Sequence, residues 1–161
     1  MSEQPPGRSL CPSAQPEWQG SVAFGVVRGT AEEPRVTNYP EVLPVTEDLL
    51  KLAQPVHPTE VFRFAAPCLC HGCVHFKIDR CSLVERIVRI LPEVVRSLPS
   101  CAIRSHCRWW QQEGANACFR CPQVVTENHN PSTLMRKAAA VTQVARGEPV
   151  SRGCQSQSAS L

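Results

Sequence analysis

Eight of the ten cysteines crowd into residues 68–121, spaced Cys68-x-Cys70-x2-Cys73-x7-Cys81 and then Cys101-x5-Cys107-x10-Cys118-x2-Cys121. His71, His75 and His106 are interleaved with them. Two cysteines separated by two residues lie on one turn with both sulfurs on the same side. A second such arm then completes a tetrahedral zinc site, with Zn–S bonds of about 2.3 Å, or a four-iron cubane held by four thiolates. One C-x2-C pair arises readily by chance, whereas two pairs accompanied by four more cysteines form a far more specific pattern. Cys68, Cys70, Cys73, Cys81, Cys101, Cys107, Cys118 and Cys121 are therefore the candidate metal ligands, with His71 and His75 able to complete the first run.

Which thiols share a metal depends on reach. A straight helix over residues 82–98 would span roughly 25 Å at 1.5 Å per residue, which separates Cys81 from Cys101. That favours two local sites: Cys68 or Cys70 with Cys73 and Cys81, and Cys101 with Cys107, Cys118 and Cys121. The competing arrangement pools the knuckles Cys70-His71-Gly72-Cys73 and Cys118-Phe119-Arg120-Cys121 across 44 intervening residues, and it needs the helix to fold back at Pro92. Eight thiols match two four-thiolate clusters, while the first knuckle and its histidines suit zinc, so the expected cofactor is a [4Fe–4S] cluster or Zn. Residues 68–121 carry eight cations against four acids, and positive neighbours stabilise thiolates whichever metal they hold. The bacterial ferredoxin run, the Rieske pattern, the C2H2 finger and the three-cysteine adenosylmethionine motif are not reproduced.

The remaining chemistry-bearing residues read more plainly. His106 beside Cys107 is a ligand or a hydrogen-bond donor to one, since sequence neighbours seldom form a catalytic pair. Trp109 and Trp110 are cover that keeps water off the site. Arg86, Arg89 and Arg96 form a solvated helix face, and His57 and His129 lie in solvated loops. A protein partner is expected for that face in preference to nucleic acid. No phosphate loop, paired carboxylates or nucleophile elbow is present, which points away from an enzyme, and a thiol enzyme is the third reading.

The elements that must position these residues point to a small cysteine-rich, metal-centred α+β domain. Residues 21–27 and 35–39 are rich in β-formers around a turn, predicting an N-terminal β-hairpin. Thr46 is placed to cap a short helix, and residues 59–66 favour a strand. Ser82 followed by Glu85 resembles a capping box, and Val84, Ile87, Val88, Leu91, Val94, Val95 and Leu98 recur at helical spacing. The main helix should kink or divide at Pro92. A shorter helix is expected over residues 105–113, closed by Gly114, and a C-terminal helix from the Ser132 cap to Gly147. The polar, proline-rich residues 1–17 read as a disordered leader, residues 18–147 as one domain with its metal core at 68–121, and residues 148–161 as a disordered tail. Cys11 and Cys154 fall in those two ends and are not expected to be ligands.

Ten of the 15 prolines precede Cys68, so the first third should be turn-rich. Residues 1–16 lack the apolar run of a signal peptide, and residues 21–27 are too short to cross a bilayer. A cytoplasmic setting without membrane contact is expected, in which clustered cysteines serve as metal ligands or redox groups. These observations predict a small iron–sulfur protein for electron transfer or redox sensing; the alternative is a structural-zinc module that mediates protein or nucleic-acid interaction.

Overall fold

Strand-forming sequence lies in the first half of the chain, and it is built into one sheet. The structure, a computed structural model, describes residues 8–141. Leu10–Ala14 forms β1, Val22–Gly29 β2, Pro34–Pro44 β3 and Phe62–Pro67 β4. They pair antiparallel in the order β1-β4-β2-β3. Together with a second two-stranded sheet, β5 (Phe76–Lys77) and β6 (Arg80–Cys81), and several helices, they make a small α+β fold.

The alternation of a strand explains how the sheet serves two cores. On β4, Phe62, Phe64 and Ala66 enter one core with Ala14, Ala23 and Ala53. Ala65, from the opposite face, joins Leu10, Phe24, Val84, Ile87 and Trp109 in the other. The β2–β3 hairpin turns between Gly29 and Pro34. Gly29 has φ +80°, and a Cβ there would stand 2.5 Å from the Glu33 carbonyl, so no larger residue fits.

Six helices complete the described residues: α1 (Glu47–Lys51), α2 (Pro58–Val61), α3 (Ser82–Ile90), α4 (Arg108–Glu113), α5 (Ala115–Cys118) and α6 (Thr133–Ala139). Thr46 caps α1, its hydroxyl accepting from the Leu49 amide at 3.1 Å. Ser132 caps α6 in the same way through Met135. α3 packs on α6, with Ala138 in the same core as Val84 and Ile87.

Several sequence expectations need correction. Residues 10–14 are not part of a disordered leader but an edge strand, held by pairing with β4 and by the burial of Leu10 and Ala14. Residues 59–66, expected as one strand, divide between α2 and β4; His57 is exposed, as expected, and serves as the N-cap of α2. α3 begins one residue earlier than a Ser82 cap implies, because Cys81 is the N-cap and the Ser82 hydroxyl donates to the His75 carbonyl at 2.6 Å. It stops at Ile90 instead of kinking, since the residue before a proline is pushed out of the α region and Leu91 is extended at ψ 141°. Arg86 is not on a solvated face: it is buried, donating to the Ala138 carbonyl at 2.8 Å and to His75 Nδ1 at 2.9 Å. α6 ends at Ala139, and the expected continuation over residues 142–147, the tail and Cys154 lie outside the described residues.

The Phe64 side chain, fully buried in the sheet's second core, tests this packing. Phe64→Ala is expected to lower unfolding free energy by about 3 to 5 kcal/mol in denaturant titration, as large core truncations do. Leu52→Ala, on a side chain left mostly in solvent, should stay within about 0.5 kcal/mol. Equal effects would show that the sheet does not carry the core.

Candidate metal centre

The first group of thiols is assembled by strand pairing. β1 and β4 pair with Cys11 opposite Ala66, and the Cys68 amide donates to the Ser9 carbonyl at 2.8 Å. This zipper carries Cys11 alongside Cys68. The chain then makes a 3-10 turn over Cys70–Gly72, closed by the Cys73 amide on the Cys70 carbonyl at 2.9 Å. The His75 amide donates to the Cys73 sulfur at 3.4 Å. The β5–β6 hairpin returns Cys81 to the same place, at the head of α3. Burial pushes the Cys11 thiol up to about 12; the Ser13 amide opposes this, while the nearby sulfurs of Cys68, Cys81 and Cys73 add to it. The Cys81 thiol is raised for the same first reason, and Cys68 and Cys73 again add to the effect. Cys11, Cys68, Cys73 and Cys81 therefore share one electrostatic neighbourhood.

The second group lies on the helical side of the sheet. Cys101, Cys107, Cys118 and Cys121 line a small pocket of about 20 Å³ together with Pro12, Phe24, Arg104, Trp109 and Trp110. Cys107 precedes α4, Cys118 ends α5, and Cys121 opens a 3-10 turn over Cys121–Gln123. Burial raises the Cys107, Cys101 and Cys118 thiols. Cys121 raises all three further, whereas the Arg104 guanidinium, hydrogen-bonded to Cys118, pulls that thiol down.

Two of these cysteines occupy helix N-caps, where amides lack helical partners. The Val84 and Leu83 amides lower the Cys81 thiol, and the Trp110 and Trp109 amides lower Cys107, though neither sulfur closes a cap bond of regular geometry. Such amides favour a thiolate over a thiol. Burial outweighs them in the free thiols, so the resting sulfurs stay protonated.

The other predicted site residues are placed differently. Cys70 is disulfide-bonded, whereas the other eight described cysteines are free thiols. In this state Cys70 offers no thiolate. His71 packs its ring edge-on to Phe76, with Nε2 at 3.9 Å from Asp79. His75 accepts from Arg86; burial, then Arg86 and Lys77, push its pKa down and keep it neutral. His106 is exposed in the 3-10 turn Arg104–His106. Trp109 is 2 % exposed and covers the second group. Among the described residues, no three histidine, cysteine or acidic side chains stand ready to hold a metal ion as they are. No described helix is long and apolar enough to cross a membrane.

Sequence reasoning missed Cys11 and Arg63. Cys11 carries no local signal, because its partners come from a strand pairing across the chain. Arg63 does: it is a lone cation inside the apolar run 61–67. No family model matches the chain, and neither curated proteins nor solved structures provide a match.

The raised thiols give a direct chemical expectation. In reduced, folded, metal-free protein, Cys11 and Cys107 should resist iodoacetamide at pH 8 and react only after denaturation, read by peptide mass spectrometry. A thiol held near 12 has on the order of one part in ten thousand as thiolate at that pH. Rapid labelling of Cys107 in the folded state would contradict its burial.

Proposed function

We propose that the chain is an iron–sulfur protein that transfers electrons or senses redox state, with clusters at two all-thiolate centres. One comprises Cys11, Cys68, Cys73 and Cys81, the other Cys101, Cys107, Cys118 and Cys121. The observation that carries this reading is the sorting of eight free thiols into two spatial fours, each with one buried and three partly buried members and each met by backbone amides or guanidinium donors. Four thiolates are the ligand complement of a [4Fe–4S] cluster, and hydrogen bonds to sulfur with burial are the levers that tune its potential. Ligation requires the cysteine side chains within each four to move together from their resting positions. His71 and His75, the nitrogen donors a mixed zinc site would use, are engaged with Asp79, Phe76 and Arg86.

Zinc is the second reading, and the pocket of about 20 Å³ in the second group favours it, since that space suits one ion rather than a cubane. The Cys73 knuckle, with its amide-to-sulfur bond from His75, also fits a Zn–thiolate turn. In that case the centres stabilise a module that binds a protein partner.

Anaerobic purification separates the two. The iron–sulfur reading predicts a brown protein with broad absorbance near 400 nm and equal iron and acid-labile sulfide. Cys118→Ser or Cys121→Ser should remove about half of both. A colourless protein with zinc supports the second reading, and a chain purified without metal overturns both.

A further inference from the structure

Arg63 sits on β4 with no exposure to solvent. Its Nε and Nη2 donate to the Pro12 carbonyl at 3.1 and 2.6 Å. Its Nη1 meets the Cys121 carbonyl at 3.1 Å, the Val124 carbonyl at 2.8 Å and the Cys121 sulfur at 3.6 Å. The guanidinium carbon lies 5.1 Å from the Phe24 ring centre and 5.8 Å from that of Trp109. The donors are thus satisfied, but carbonyls and rings supply no net negative charge. Among the described residues no carboxylate pairs with it. Burying an unbalanced cation is costly, by several kcal/mol in ordinary proteins. The group in contact that is able to become an anion is the Cys121 sulfur.

Two other donors converge on the same place. Arg104 Nε and Trp109 Nε1 are buried without a hydrogen-bond partner, and both residues line the pocket of the second thiol group. Buried orphan donors are rare and call for an acceptor.

We infer that the Cys101, Cys107, Cys118 and Cys121 centre is anionic when loaded, and that Arg63 is the positioning residue that balances its charge and sets its metal affinity. This rests on the two-centre reading above. A divalent ion replacing four thiol protons leaves a tetrathiolate of net charge −2 and releases four protons to solvent. That anion supplies the missing counter-charge to Arg63 and acceptors for the orphan donors. The sulfur that Arg63 contacts belongs to the second group, and its bond to the first side runs to the Pro12 backbone carbonyl and not to a thiol, so the Cys11 centre serves as an internal control for charge.

Cobalt(II) titration of the reduced full chain, followed by sulfur-to-cobalt charge-transfer absorbance, tests this in wild type, Arg63→Lys and Arg63→Gln. Wild type should bind two equivalents. Arg63→Gln, which keeps two N–H donors but loses the charge, should weaken one of the two by about tenfold or more, as removing a buried counter-charge does. Arg63→Lys should recover most of that loss, and the other equivalent should not change. Two unchanged equivalents in Arg63→Gln overturn the inference while leaving the two-centre reading intact, and so does a loss in Arg63→Lys equal to that in Arg63→Gln. Absence of cobalt binding in wild type overturns the reading itself and the inference with it. If Arg63→Gln does not fold, Arg104→Gln, which removes the half-buried guanidinium bonded to Cys118, should weaken the same equivalent a few-fold; no change there also overturns the inference.

Discussion

The structure turns on a guanidinium buried between the sheet and the helical layer. Arg63 reaches from the central strand β4 to the Pro12 carbonyl on edge strand β1 and to the carbonyls of Cys121 and Val124. These bonds fasten the N-terminal strand and the last cysteine turn to one side chain. Without them the Pro12 and Val124 carbonyls would lose these donors, while the Cys121 carbonyl keeps the Val124 amide at 3.0 Å; a buried carbonyl left unpaired costs about 1 to 3 kcal/mol. The charge that makes the clamp strong also demands an anion, and the thiols beside it meet that demand only as thiolates. Fold and chemistry are coupled at this point.

The same coupling recurs at the helix starts. Cys81 and Cys107 stand where Ser, Thr, Asp or Asn normally accept the first amides. A neutral thiol is a poor acceptor, and burial keeps these sulfurs neutral, so both helices begin with weakly satisfied amides. Thiolate formation at either cap supplies a better acceptor. Metal loading would therefore strengthen α3 and α4 at their N-termini, which is how ligand binding free energy becomes folding free energy.

Sequence periodicity reached the elements whose signals are local. The hairpin of β2 and β3, the Thr46 and Ser132 caps and the body of the main helix follow from β-former runs, hydroxyl caps and 3.6-residue spacing. It failed where distant segments decide. Leu10-Cys11-Pro12 reads as loop because its apolar content is slight; only pairing with β4 makes it a strand. Pro92 was legible as a disruption, but whether a helix bends or ends depends on what holds the next residues, and here the Val94 amide donates to the Phe119 carbonyl instead of continuing α3. The Arg86 position looked solvated because its helix face is charged; α6, packed from 52 residues away, covers it. For the thiols, the two runs remain separate neighbourhoods, and the member from outside the cysteine-rich segment, Cys11, was invisible to spacing.

In the proposed protein sulfur alone, from two separate groups of cysteines, surrounds the metal. X-ray absorption at the metal K-edge on anaerobically purified protein measures this directly. The expected result is a first shell of sulfur only, with metal–sulfur distances near 2.3 Å, for iron and for zinc alike. A first shell containing imidazole nitrogen, with the outer-ring scattering of histidine, would contradict it and return His71 or His75 to the ligand set.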